Sequence, residues 1–82
     1  MDLVELTEKL VKSIVLNEDS VSVKEFPTEE ENTMLIQVIV DEADMGRVIG
    51  REGRTANAIR TLIQASSALK DNKYIKIDID KF

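Results

Sequence analysis

Gly46-Arg47-Val48-Ile49-Gly50-Arg51-Glu52-Gly53-Arg54-Thr55-Ala56-Asn57-Ala58-Ile59-Arg60 holds all three glycines and all four arginines of an 82-residue chain. Its only acid is Glu52, so the stretch carries a local charge of +3 inside a chain of net charge −5, and the other residues sum to −8. Glycine admits positive φ and lets a backbone approach a ligand closely, while arginine suits phosphate and flat bases. Together they mark a place where an anionic chain is held.

The spacing is not that of the common nucleotide loops. Gly46 and Gly50 are separated by three residues and Gly50 is followed by Arg51, so the Gly-x4-Gly-Lys-Ser/Thr loop is absent, as is Gly-x-Gly-x-x-Gly. Taken alone, Gly50-x-x-Gly53 reads as the end of one helix and the start of the next, since glycine is common after a helix C-terminus. The flanks add chemistry to that reading: Val48-Ile49 before it, Arg51 within it, Arg54 after it, and helical apolar spacing at Ile59, Leu62 and Ile63 beyond.

Downstream, Ala56, Ile59, Leu62, Ile63 and Ser66 predict a helix from Arg54 to about Leu69 with these residues inward. Lys70-Asp71-Asn72-Lys73 turns the chain, and Tyr74 to Asp80 alternates as a strand with Ile75, Ile77 and Ile79 inward. Upstream, Asp41-Glu42-Ala43-Asp44 puts acids where they cap and favour a short helix, Met45 to Ile49. Met34 to Val40 is the most apolar run, and its length and β-branched content predict a strand. Met34, Ile36, Val38 and Val40 share one face. Leu35 and Ile39 fall on the other with Gln37, where neighbours or a second subunit would cover them.

Before that strand, Val21 to Glu25 alternates as a half-buried strand ended by Phe26-Pro27, and the polar segment Thr28 to Thr33 reads as a hairpin loop. Glu29-Glu30-Glu31 lies in this loop, where adjacent acids lack the convergent geometry of a metal site. From Asp2 to Leu16, Leu3, Leu6, Leu10 and Ile14, flanked by Val4, Val11 and Val15, predict a helix capped by Asp2 that covers one side of a sheet or meets a partner helix. Asn17 to Ser20 is turn chemistry. The predicted order is α-β-β-α-α-β, with no internal repeat or domain boundary.

Composition narrows the chemistry. An apolar fraction of 43% and a charged fraction of 33% are those of a folded globular chain. There is no histidine and no cysteine, which removes the commonest general base, the commonest metal ligands and any disulfide framework. An enzyme is therefore disfavoured: carboxylate pairs such as Asp41 with Asp44 or Asp78 with Asp80 lie in or beside exposed polar stretches, without a pocket to separate their pKa values. No apolar run approaches the roughly 18 residues that span a bilayer, and the start lacks the basic and apolar regions of a signal peptide, so the expected location is cytoplasmic. A pI near 4.6 argues against a general polyanion binder, since non-specific affinity comes from neutralised phosphates. Any nucleic-acid contact must be local.

Val48-Ile49-Gly50-Arg51-Glu52-Gly53 matches the Val-Ile-Gly-x-x-Gly core of the KH family, which the chain resembles, and the α-β-β-α-α-β order is similar to the bacterial, type II form. More narrowly, the run from Gly46 to Leu62 resembles the small single-domain bacterial KhpA family, and the resemblance covers essentially the whole chain. It implies an α+β class, the type II KH fold, with residues 1–82 as a single KH domain and a three-stranded mixed sheet carrying the helices on one face. The short loop makes the first two strands antiparallel, and the two-helix crossover lets the last lie parallel to the second. The implied partner is single-stranded RNA, without cofactor, small-molecule substrate, membrane insertion or catalysis. The resemblance further implies a homodimer, a heteromer with a larger Jag-type KH protein, and a role as RNA chaperone and post-transcriptional regulator tied to cell elongation and wall homeostasis.

The same resemblance gives the site residues. In KH domains the glycine loop clamps the backbone of about four nucleotides. Here Gly50 and Gly53 leave no side-chain bulk between phosphate and peptide N–H groups, and the helix starting at Arg54 adds its positive end. Arg51 and Arg54 would neutralise phosphate. Arg47 and Arg60 would reach neighbouring phosphates or stack on bases, or else pair with Asp44 or another acid. Val48, Ile49, Ala56, Ile59 and Val38 are the apolar candidates for contact with bases, with core packing as the competing assignment, foremost for Val38 and Ile59. Glu52 repels phosphate if it points inward and otherwise faces solvent. With two to four phosphate contacts the salt slope would be only about −1.4 to −2.8, so useful affinity needs a second site, and linking two weak sites raises avidity by about 10² to 10⁴. The reading from a different class is a protein-interaction adaptor that uses the scaffold for dimerisation, supported by the net acidity and by Leu35 and Ile39.

Overall fold

The computed structural model describes residues 2–82. Helix α1 (Leu3–Lys12) is followed by strands β1 (Ser22–Phe26) and β2 (Thr33–Val40), helices α2 (Met45–Ile49) and α3 (Arg54–Lys70), and strand β3 (Tyr74–Lys81). The sheet order is β1-β2-β3, with β1 antiparallel and β3 parallel to β2. This is the α+β arrangement and mixed three-stranded sheet expected of a type II KH fold.

Alternation on β2 sets the layers. Ile36, Val38 and Val40 are buried completely, and register places Val38 between Val23 of β1 and Ile79 of β3, and Ile36 beside Ile77. Burial of one such side chain is worth about 1.5–3 kcal/mol, so this row is the floor of the core. Helices α1 and α3 pack on it, α1 against β1 and α3 against β3. On the other face Leu35, Gln37 and Ile39 are half-buried, Leu35 between Phe26 and Lys76 and Ile39 between Ser22 and Asp80.

Three details depart from the expectations. Helix α1 ends at Lys12 rather than Leu16, with the Ser13 N–H on the Lys9 carbonyl and the Ser13 Oγ on that of Leu10. The β-branched Ile14 and Val15 weaken a further turn, and the next two N–H groups are taken by Asp44, as described below. Its buried line is Leu3, Thr7 and Val11, continued past the helix end by Val15, so a threonine sits on the central line and Leu6, Leu10 and Ile14 flank it. Thr7 Oγ1 donates to the Leu3 carbonyl at 2.7 Å, which satisfies the buried hydroxyl. In α3 the inner line is Ala56, Ile59, Ile63 and Ser67; Leu62 is exposed and Ser66 only half-buried.

Ser67 is buried because it serves the edge of the sheet. Its Oγ donates to the Lys73 carbonyl at 2.8 Å and accepts from the Lys73 N–H at 3.1 Å. Gln64 Nε2 donates to the same carbonyl and Gln64 Oε1 accepts from the Ile75 N–H, each at 2.9 Å. Arg60 Nε and Nη2 both donate to the Ile77 carbonyl at 3.4 Å. One face of α3 thus supplies the first half of edge strand β3, as far as Ile77, with partners of the kind a fourth strand would give. No helix among the described residues is long and apolar enough to cross a membrane.

Candidate nucleic-acid interface

The site is the junction of α2 and α3. Helix α2 stops where Gly50 takes φ 76° and ψ 175°, a backbone region open in practice to glycine alone. A Cβ there would strike Thr55 Oγ1 and lie 2.8 Å from the Thr55 nitrogen, so packing and backbone both require glycine. The loop then makes one tight turn, Arg51–Gly53, closed by the Gly53 N–H on the Gly50 carbonyl at 3.2 Å. Glu52 sits at φ 56° and Gly53 at φ 76°, both left-handed. For Glu52 that conformation costs about 1–2 kcal/mol. Gly53 opens α3 without a side-chain cap, which leaves first-turn N–H groups facing the loop.

Arg51 is exposed and has no ion-pair partner among the described residues. Arg54 is 79% exposed and lies 3.9 Å from Glu52, itself 76% exposed. Glu52 therefore faces solvent and its neighbour arginine, an interaction worth little in water. Ile49 is half-buried beside the loop. These groups converge on the loop as expected.

The remaining candidates are placed differently. Val38 and Val48 have no exposed surface, and Ala56 and Ile59 are 2% and 5% exposed, so these four pack the core beneath the junction and only Ile49 keeps apolar surface beside it. Arg60 is drawn down α3 toward β3 by the Ile77 carbonyl and also donates to Asn57 Oδ1 at 3.4 Å through Nη1. Arg47 lies 3.6 Å from Asp44 Oδ1.

Of the acids expected to cap and favour α2, Asp44 makes no capping hydrogen bond. Asp41 caps instead, accepting from the Ala43 N–H at 2.8 Å in the turn before α2. Fully buried, Asp44 accepts from the Leu16 N–H at 3.1 Å and from the Asn17 N–H and Nδ2 at 3.0 Å each. The Leu16 N–H leads in holding its carboxyl below the usual aspartate range, against the opposing effect of burial, with Asn17 and Arg47 adding to the lowering. One carboxylate thus pins the segment after α1 to the helix that delivers the glycine loop. The sequence signal for this was slight: three acids, Asp41, Glu42 and Asp44, precede α2, and only partners 27 and 28 residues away tell Asp44 from the others. Thr55, which lies across Gly50, and Asn57, whose Nδ2 is 4.0 Å from where a Gly53 Cβ would be, were also absent from the sequence-based site.

The family model described as "KhpA/KhpB, KH domain" matches residues 4–79. The chain is 41% identical over 75 residues to "RNA-binding protein KhpA" of Clostridium perfringens, which covers 92% of this chain and 96% of the relative. It is 47% identical over 64 residues to the protein of the same name from Aquifex aeolicus, covering 78% and 75% of the two chains. Among solved structures it superposes on Era of Aquifex aeolicus bound to GDP.AlF4- with a TM-score of 0.71 at 19% identity, over 98% of this chain and 30% of that one. A second Era structure, in complex with MgGDPNP and nucleotides 1506-1542 of 16S ribosomal RNA, gives a TM-score of 0.67 at 19% identity, over 96% of this chain and 29% of that one. At that identity the Era likeness concerns the fold alone.

Proposed function

The chain belongs to the KhpA/KhpB KH-domain family, and from that premise we propose that it is a non-catalytic, single-stranded RNA-binding protein. The observation that carries the reading is the backbone of the Gly50–Gly53 loop: two positive-φ glycines at the uncapped start of a 17-residue helix, flanked by the exposed Arg51 and Arg54. Phosphate approaches the peptide where no Cβ stands, the helix end favours its charge, and the two arginines neutralise it. Ile49 offers the adjacent base an apolar contact, while Val38, Val48, Ala56 and Ile59 hold the junction in shape from below. Arg47 reaches a neighbouring phosphate only by leaving Asp44.

In this reading the protein acts as one KH domain in the cytoplasm, as an RNA chaperone and post-transcriptional regulator tied to cell elongation and wall homeostasis. It works as a homodimer or beside a Jag-type KH protein. Family membership and the need of a weak site for a second one support these finer statements.

Gly53→Asp is the cleanest test. Aspartate tolerates the left-handed conformation, and the position has no neighbour nearer than 4.0 Å, so the fold is retained while a carboxylate enters the clamp. Gly50→Asp is less clean, because its side chain would drive into Thr55 and shift the loop. The expected result for Gly53→Asp is at least about a tenfold loss of affinity for a labelled single-stranded RNA, with an unchanged circular dichroism spectrum. Parent-like binding across a salt series would show the clamp assignment to be wrong.

An adaptor reading has its own observation. From Thr61 to Leu69 helix α3 carries no charge, Leu62 is 53% and Leu69 89% exposed, and Leu69 lines an apolar groove with Leu3 and Leu6. RNA crosslinks within residues 46–60 in cells favour the clamp, whereas crosslinks confined to a partner protein favour the adaptor.

A further inference from the structure

Resting on the RNA-binding reading above, we propose that Asn57 is a second-turn contact of the clamp, donating through Nδ2 to a phosphate oxygen over Gly53, and that Arg60 is the positioning residue that aims it. Gly53 is the last residue of the turn and the one from which α3 starts, and a Cβ at Gly53 would meet, its chain neighbours aside, only Asn57 Nδ2 at 4.0 Å. The space that glycine leaves open is therefore bordered by the side-chain amide of Asn57 as well as by first-turn N–H groups. Asn57 is exposed and free to meet a ligand.

Which end of the amide faces that space is fixed from the other side. Arg60 Nη1 donates to Asn57 at 3.4 Å, and a guanidinium has donors only, so the atom it meets must be the amide oxygen. Exchange of the two amide ends would set donor against donor. With the oxygen held, the amide nitrogen and its two hydrogens turn toward Gly53. Arg60 is in turn held by the Ile77 carbonyl, which takes both Nε and Nη2 at 3.4 Å. A chain of hydrogen bonds thus runs from edge strand β3 through Arg60 to the amide beside the loop. It gives Arg60 work other than phosphate neutralisation. Asn57 brings a neutral donor, which adds affinity without repelling or attracting counterions.

That neutrality gives the test its discrimination. Binding of a fluorescein-labelled single-stranded RNA is measured by anisotropy over a salt series for the parent, Asn57→Ala, Arg60→Ala, Arg60→Lys and the Asn57→Ala/Arg60→Ala double variant. Asn57→Ala lies on an exposed helical face and favours helix, so folding is not at risk. The expected result is about a tenfold loss for Asn57→Ala, the scale of one hydrogen bond to a charged group, with the salt slope unchanged. Arg60→Ala loses less, also at constant slope, and adds nothing in the Asn57→Ala background. Arg60→Lys keeps the charge but lacks the fork that spans Ile77 and Asn57, and it binds like Arg60→Ala. Parent-like affinity for Asn57→Ala overturns the contact. A slope reduced by about 0.7 in Arg60→Ala, or full binding by Arg60→Lys, makes Arg60 a phosphate ligand and overturns the positioning role. Gly53→Asp, run alongside, separates the two levels: if it binds RNA normally the clamp itself fails, and if it alone loses RNA only the present inference fails.

Discussion

The two halves of α3 are one continuous helix with opposite surfaces. Its first two turns carry Arg54 and Arg60 and begin at an uncapped glycine, whereas Thr61 to Leu69 has no charged residue and exposes Leu62 and Leu69. Beneath, the difference reverses: the second half is the more firmly tied, with Ile63 fully buried and Gln64 and Ser67 bonded to Lys73 and Ile75. A helix can present a ligand at one end because it is anchored at the other.

The sharpest way to break this division is a crossed pair. Ile63→Ala in the anchored half should cost about 2–5 kcal/mol in chemical denaturation while the folded fraction binds RNA as the parent does. Gly53→Asp should do the reverse, losing RNA with stability nearly unchanged. If each variant affected both properties equally, the two halves would be one unit. Next in size, Gln64→Ala leaves the Ile75 N–H without its partner and should cost about 1–3 kcal/mol, read as a lower thermal midpoint and faster exchange of the Ile75 amide.

Asp44 extends the comparison to the helix on the other side of the loop. Its carboxyl titrates below the ordinary aspartate value in the folded chain, so its contribution is complete above that value and is lost as pH falls through the depressed one. Asp44→Asn should therefore be less stable than the parent at neutral pH, and the gap should close on acidification. A gap that stayed constant with pH would remove the charge from the explanation. The smallest effect belongs to Glu52→Gln, which frees Arg54 from an exposed pair and should strengthen RNA binding by less than about threefold, most visibly at low salt.

Much of this was legible in the sequence. The strands at Met34–Val40 and Tyr74–Asp80 lie within one residue of the observed β2 and β3, and the two-helix crossover with its glycine loop falls where the pattern put it. Apolar alternation and glycine are local signals, and local signals survive folding. What stayed hidden depends on distant partners. Asp44 read as one of the capping acids, and nothing in the pattern singled out Thr7 or Ser67, yet each of the three is buried because its oxygen meets a specific backbone group. Helix periodicity alone put Leu62 and Ser66 inward; the need to satisfy edge strand β3 rotates Ser67 in and leaves Leu62 outside. For Arg60 the sequence offered phosphate, a base or an acid as partner, and nothing near it in the chain announces the Ile77 carbonyl. At the site, Gly50 and Gly53 were readable as a motif, but the Thr55 contact that forbids a side chain at one and not at the other was not.

The side chains that close the β3 edge also bear on the order of assembly. Strands β1 and β2 join through a short hairpin and can pair early, whereas β3 reaches β2 only after the whole helical crossover has been made. Until α3 docks, the outward N–H and C=O groups of β3 between Lys73 and Ile77 have no partners and form an adhesive edge. Docking of α3 seals it in the same event that sets the glycine loop. Chains with a formed glycine loop and chains safe from edge-to-edge aggregation are then the same population, and the time a nascent chain spends exposed is the time α3 takes to find the sheet.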